Sequence, residues 1–248
     1  MCGRFTLSVK VDELPETFGL PGLLPDPPDA DMALPRFNVA PTQPIPISRR
    51  QPDGTRALSW ARWGLIPPRA KDPRVGARMI NARAETVFEQ PAFRGPVRNQ
   101  RCLVPTDGFI EWKKFGKRKQ PYHVRRPDRG VYAMAGIWTT WQNPGGAPVD
   151  TCAVLTTAPN ETLAELHDRM PVILPESAFE MWLDPEVTAP EALQPLLRAA
   201  PEALLELVPL APTVNSVKNL GPACLVEIDE AAAASPEVPE APQLGFEF

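Results

Sequence analysis

Proline sets the first limit on what this chain can fold into. It occupies 33 of 248 positions, more than twice the ordinary share of about 5%. An interior proline removes a helical hydrogen bond and its ring clashes with the preceding turn. Prolines recur from Pro15 to Pro242, so long helices are excluded. Short strands and well-fixed loops are the expectation.

The apolar pattern agrees. Runs bounded by glycine, proline and aspartate predict strands at Ile45–Ser48, Leu58–Ile66, Tyr122–Arg126, Val131–Thr140 and Asp150–Thr157. Arg101–Trp112 holds two apolar runs around Thr106-Asp107-Gly108, a hairpin signal, and Lys113–Lys119 is a basic turn around Gly116. Asn81 and Arg83 are placed near a strand-to-helix junction, and a late strand is expected in the ACLVEI stretch ending at Ile228.

Helical spacing is confined to short segments: Val11, Leu14 and Phe18; a helix capped by Asn160 and ended by Pro171; and acidic, leucine-rich pieces at Glu176–Leu183, Pro190–Ala199 and Glu202–Leu207. The expected fold is therefore α+β. It is a single domain, residues 1–230, built on a curved, barrel-like, mostly antiparallel sheet with peripheral helices. Residues 231–248, rich in alanine, proline and glutamate, read as a disordered tail.

Several function classes fall away. No run of about 18 apolar residues exists, which predicts no membrane span. A signal-peptide pattern is missing at the start, so a cytoplasmic home is expected. The four cysteines are far apart and none forms a C-x-x-C pair, which argues against zinc and against a disulfide framework. Cys102, Cys152 and Cys224 sit in apolar runs and are expected in the core. Neither a phosphate loop nor a dinucleotide fingerprint is present, so no cofactor is expected.

Charge is unevenly distributed. Net charge is −4, yet Arg94–Arg129 carries eleven Lys/Arg against three acids. From Glu176 onward, thirteen acids face two bases. Polyanion binding depends on the local surface rather than the total. The asymmetry suggests a basic face, with the acidic remainder expected to point away from it.

Chemistry gathers at the start, Met1-Cys2-Gly3-Arg4-Phe5. Removal of Met1 would leave Cys2 with an α-amine and a thiol on adjacent carbons. The amine titrates at about 7.7–8 and the thiol at about 8.5. Such a 1,2-aminothiol condenses with an aldehyde to an imine, and its thiol closes the imine to a thiazolidine. The plainer alternative is that Cys2 is a small buried hydrophobe.

Glu111 lies between large apolar side chains in GFIEW. It is either on the polar face of a strand or desolvated, with a raised pKa suited to acid–base work. Two histidines exist, His123 and His167. His123 alternates within a strand and reads as surface or packing. His167 either caps a helix end or shuttles protons. Asn81 reads as a turn or cap residue, or as part of a site. Arg4, Arg83 and Arg169 lie one to two residues from these candidates, where planar guanidinium suits phosphate oxygens.

Taken together, MCGRF (1–5), FNVAP (37–41), WGLIP (63–67), INARAET (80–86), RCLVPTDGFIEWKK (101–114), HDRMPVIL (167–174) and VNSVKN (214–219) resemble the SOS response-associated peptidase (SRAP) family of abasic-site sensors. The resemblance spans nearly the whole chain. It implies covalent capture of abasic sites in single-stranded DNA, with Cys2 as the thiazolidine-forming nucleophile. Asn81 then holds the Cys2 end and the sugar, Glu111 is the general acid–base, and His167 assists proton transfer at the sugar. Arg4, Asn38, Pro41, Arg83 and Arg169 are implied DNA contacts. Self-removal of Met1 is also implied, with a protein that acts as a monomer and associates with the nucleoid when on DNA. One departure concerns an aromatic pair that relatives often carry after the WG motif; here that loop reads Pro67-Pro68-Arg69-Ala70.

Two other readings stay open. One is a cysteine-dependent peptidase acting on other proteins, with Cys2 as nucleophile and His167 as base. The other is a non-catalytic single-strand-binding module using Arg94–Arg129.

Overall fold

The computed structural model describes residues 2–10, 12–14, 18, 24–229, 231 and 233. Strands in the first half are β1 (Phe5–Leu7), β2 (Arg36–Val39), β3 (Pro44–Arg50), β4 (Arg56–Trp63), β5 (Asn81–Arg83), β6 (Arg101–Thr106), β7 (Gly108–Phe115) and β8 (Arg118–Arg125). Those in the second half are β9 (Tyr132–Trp141), β10 (Val149–Thr157), β11 (Met170–Pro171), β12 (Ile173–Leu174) and β13 (Glu206–Pro209).

Five strands close on themselves in the order β10, β4, β3, β6, β9 and back to β10. The barrel is mixed, because β4 runs parallel to β10 while the other four pairings are antiparallel. Closure leaves no free edge within the ring. Pro96–Asn99, Glu161–Ala164, Phe179–Leu183 and Pro190–Leu193 are short, peripheral helices of four or five residues each, as the prolines dictate. The α+β, barrel-based expectation is correct.

A second sheet, in the order β13, β8, β7, β1, β2, sits against the barrel. Its β1 carries the amino-terminal segment between β2 and β7. Phe5 meets Trp63 edge-on at 5.1 Å, joining the two sheets through the core.

The Trp63–Gly64 pair explains how β5 reaches the site. Thr151 and Cys152 of β10 pair with the end of β4, whereas Val154–Thr156 pair with Asn81–Arg83 of β5. One strand thus hands its place beside β10 to another. Gly64 makes the exit with φ +126°, and a Cβ there would lie 2.5 Å from the Gly76 carbonyl oxygen. Only glycine fits both the backbone and the space.

Three local expectations differ. β6 and β7 do not form a hairpin, because β6 pairs into the barrel and β7 into the second sheet, with Asp107 at the corner. Both strands are buried on both faces over residues 101–111, so each needs a different partner. The hairpin forms one strand later, β7 with β8, turning at Gly116, where φ is +61°. Glu202–Leu207 is not one helix but a 3-10 turn, Glu202–Leu204, followed by β13. The expected late strand is a 3-10 turn, Pro222–Leu225, plus one bridge between Leu210 and Glu227.

Cys102, Cys152 and Cys224 are free and buried, as expected. Most of the predicted helix at 11–18 and nearly all of the predicted tail at 231–248 lie outside the described residues.

Candidate functional site

Cys2 enters the core. Its side chain is fully buried, and its Sγ contacts the Arg4 carbonyl at 3.9 Å. Burial, and next the charge of Glu111, push the thiol well above its ordinary value. The sequence suggests a thiol needing modest help to ionise; the structure instead keeps it protonated, because desolvation penalises thiolate. Any attack by this sulfur must hand its proton to a neighbour.

β5 supplies one neighbour. Asn81 Nδ2 donates to the Cys2 carbonyl at 2.8 Å, fixing the start of the chain against β10. The segment is extended, not a strand-to-helix junction. Asn81 Oδ1 is buried and makes no hydrogen bond among the described residues.

β7 supplies another. The Ile110 amide donates to the Arg4 carbonyl at 2.9 Å, so Glu111 follows directly beside the Cys2 segment. Glu111 is 4% exposed. Burial pushes its carboxyl up to about 7. Of the two readings open from sequence, desolvation is the correct one. A carboxyl titrating near 7 can give or take a proton at neutral pH.

His167 lies three residues beyond the short helix Glu161–Ala164, which starts at Asn160, whose Oδ1 accepts from the Leu163 N–H at 2.9 Å. Its Nδ1 accepts from the Arg169 amide at 3.1 Å and lies 2.7 Å from Asp168 Oδ1. Burial is the main cause of a lowered pKa. The charge of Glu111 raises the Cys2 pKa, and that of Asp168, which contacts His167, raises the Glu111 pKa. Three groups far apart in sequence thus converge on the start of the chain.

The five candidate DNA contacts separate into distinct settings. Arg83 is exposed at the end of β5, beside Asn81. Arg169 forks onto Glu85 at 2.7 and 2.8 Å and donates to the Thr156 carbonyl at 2.6 Å. Pro41 is half-buried. Arg4 is 8% exposed, donates to Asn38 Oδ1 at 2.5 Å and to the Val214 carbonyl at 2.9 Å, and lies over Trp112. Asn38 donates to the carbonyls of Ser216 and Asn219. In this state Arg4 and Asn38 hold the VNSVKN turn against β2.

Sequence reasoning passes over Glu85, Asp168 and Tyr132. Glu85 lies two residues beyond Arg83 and occupies the Arg169 fork. Asp168 both contacts His167 and raises the Glu111 pKa. Tyr132 is buried, and burial, then Cys2, raise its pKa. Adjacency to named candidates could have flagged the first two; nothing local marks Tyr132. His123 is buried rather than exposed, with Nε2 3.0 Å from Thr6 Oγ1, and burial holds it down near 4.

The sequence profile of the SOS response associated peptidase (SRAP) family matches residues 1–217. The chain belongs to this family. This SRAP member is 42% identical over 223 residues to the abasic site processing protein YoqW of Bacillus subtilis, covering 90% of the chain and 97% of YoqW. It is 35% identical to the abasic site processing protein HMCES of Gallus gallus, over 79% of the chain and 67% of that protein. Among solved structures, a Bacteroides thetaiotaomicron protein superposes with a TM-score of 0.78 at 25% identity, over 90% of the chain and 98% of its own. No helix among the described residues of this SRAP chain is long and apolar enough to cross a membrane.

Proposed function

We propose that this protein captures abasic sites in single-stranded DNA as a thiazolidine on Cys2, once Met1 is removed. One observation carries the reading: Asn81 pins the Cys2 carbonyl while Glu111, buried and titrating near 7, acts on the same cysteine.

The freed amine of Cys2 adds to C1′ of the ring-opened deoxyribose. Glu111 in its acid form protonates the departing hydroxyl, water leaves, and a protonated imine and the Glu111 carboxylate remain. The thiol then adds to the imine carbon. Its proton passes to the Glu111 carboxylate, and the ring nitrogen keeps the hydrogen it carried. One C–N and one C–S bond form, one water is lost, and Glu111 ends as it began. A thiol held neutral suits this order, since it is used only after the imine exists. His167 would assist opening of the sugar. Hydrolysis of the Met1–Cys2 bond by the same acid–base pair would prepare the site.

Arg83 and Arg169 flank the Thr156 register position of β10 and would contact the backbone phosphates. Arg4 and Asn38 would serve them indirectly, by bracing the site's floor. The protein would act as a monomer, in the cytoplasm and on the nucleoid when bound.

The experiment incubates mature protein with an oligonucleotide bearing one abasic site and resolves the products under denaturing conditions. A shifted band that Cys2→Ser fails to give supports the reading. Cleavage of unrelated peptides without any such band would favour a peptidase acting on other proteins.

A further inference from the structure

The turn between β2 and β3 carries a strained residue. Thr42 has a φ of +71°, a left-handed conformation in which a β-branched residue is an outlier. Glycine adopts it freely. The turn is pinned to β4: the Thr42 amide donates to the Trp63 carbonyl at 2.8 Å and the Trp63 amide to the Gln43 carbonyl at 2.9 Å. Thr42 is half-buried, and its hydroxyl makes no hydrogen bond among the described residues. No such bond therefore accounts for a threonine where glycine costs less. Backbone strain of this kind collects at functional sites.

Thr42 borders a groove of about 430 Å³ shared with Pro44, Trp60, Arg62 and Pro148. Trp60 and Arg62 lie two residues apart on β4, alternate with the core residues Ala61 and Trp63, and so face outward together. The Trp60 indole is fixed by its Nε1, which donates to the Pro25 carbonyl at 2.7 Å. Among the described residues the Arg62 side chain has no ion-pair or hydrogen-bond partner, and its Nε is buried. Two acids also border the groove. Asp150 is held by Arg49 at 2.8 Å and by the Thr140 hydroxyl at 2.6 Å; Asp26 is exposed at the rim. A free guanidinium, a free hydroxyl and an indole in one groove are the chemistry that takes a phosphate and a stacked base.

β10 relates the groove to the Cys2 site. Arg62 pairs with Thr151 and Asn81 with Val154, a separation of about 10 Å along the strand. Arg83 pairs with Thr156, on the far side of Asn81. The Trp63 indole donates to the Ile80 carbonyl at 2.9 Å and so joins the Thr42 turn to the residue before Asn81. A stacked strand advances about 3.4 Å per nucleotide. A strand leaving Cys2 over the barrel wall therefore reaches the groove about three nucleotides on. We propose that the groove of Thr42, Trp60 and Arg62 is a nucleotide subsite for that strand, with a phosphate on the Arg62 guanidinium and the Thr42 hydroxyl and a base against Trp60. That the occupant belongs to an abasic strand rests on the proposed function; the affinity of the groove for a nucleotide does not.

The test compares Arg62→Gln and Thr42→Gly with the parent, each as the full chain, by fluorescence polarisation with an undamaged oligothymidylate of about 12 nucleotides. Arg62→Gln should bind about 3- to 10-fold more weakly near 50 mM salt. Its log–log salt slope should be shallower by about 0.7, the share of one phosphate on a single strand. Thr42→Gly should melt no lower than the parent, since its backbone strain is relieved, and still bind about 2- to 5-fold more weakly. Equal affinity and slope in Arg62→Gln overturn the subsite; equal affinity in Thr42→Gly overturns the hydroxyl contact. Weaker binding of thymidine 5′-monophosphate by Arg62→Gln, with the longer strand bound as by the parent, would assign the groove to a free nucleotide and overturn the strand contact. Crosslinking at limiting DNA supplies the link to capture. Lengthening the flanks of an abasic oligonucleotide from about one to about six nucleotides should speed the parent, and this gain should shrink about 3- to 10-fold in Arg62→Gln. A gain of equal size in both overturns the link. No crosslink from either protein contradicts the proposed function instead, and the polarisation result alone then decides the groove.

Discussion

The side-chain amide of Asn81 holds the main-chain carbonyl of Cys2 at 2.8 Å, bridging β5 and the start of the chain. The bond makes the position of Cys2 depend on β5, a strand that takes its place beside β10 where β4 ends. Asn81→Ala should therefore slow crosslinking by about 10- to 100-fold, since a 1 Å misplacement costs on that order. Its melting temperature should stay within a few degrees of the parent, as one partly buried hydrogen bond contributes about 1 kcal/mol. Single-turnover crosslinking at saturating DNA, beside a thermal melt, separates the two effects.

Glu111 would tie the proposed crosslinking to stability. Its folded pKa of about 7 lies above the ordinary 4.5 because burial disfavours the carboxylate. The fold therefore binds this proton more tightly than the unfolded chain. The stabilisation is complete below pH 4.5 and is lost as pH rises through 7. Glu111→Gln removes that dependence. Relative to the parent it should gain up to roughly 3 kcal/mol between pH 4.5 and pH 8 in denaturant titrations. Crosslinking by the same variant should fall about 100-fold and lose its bend near pH 7.

Glu85 occupies the Arg169 fork with both carboxylate oxygens. A phosphate group must displace or share it. Glu85→Gln should strengthen binding of single-stranded DNA by about 2- to 5-fold at low salt and steepen its salt dependence, because one more guanidinium meets phosphate. Stability should change by less than about 1 kcal/mol, as the pair is half-exposed. Weaker binding would instead make Glu85 a support that orients Arg169.

Gly64 is a test of the fold alone. Its φ of +126° and the 2.5 Å approach to the Gly76 carbonyl leave no room for a methyl group. Gly64→Ala should lose about 2 kcal/mol or more. Because Gly64 starts the exit that leads to β5, crosslinking should fall with it. A urea titration reads the first effect.

The fold was legible in sequence where a decision is local. Alternating and fully apolar runs marked the barrel strands, and Asn160 announced its helix by cap chemistry. Residue type and setting singled out Cys2 and Glu111 as candidates, whereas Asn81 gained a site role only from the resemblance to the SRAP family. Decisions between distant partners were not legible. Nothing near Asp107 tells that β6 and β7 enter different sheets. Nothing near Arg4 tells that the Val214 carbonyl folds back onto it from 210 residues away. The protonated state of Cys2 also escaped, since burial is a property of the assembled core. Two acids of the C-terminal part, Glu206 and Glu227, meet Arg125 of the basic stretch, a pairing visible only in three dimensions.

The central claim is that Cys2, freed of Met1, traps a sugar aldehyde through both its nitrogen and its sulfur. Intact mass of the purified protein, alone and with an abasic oligonucleotide, tests it most directly. The account predicts a chain lacking Met1, and an adduct equal to protein plus DNA minus one water, mapping to Cys2. Retention of Met1 in the reacting species, or an adduct mapped to a lysine, would contradict it.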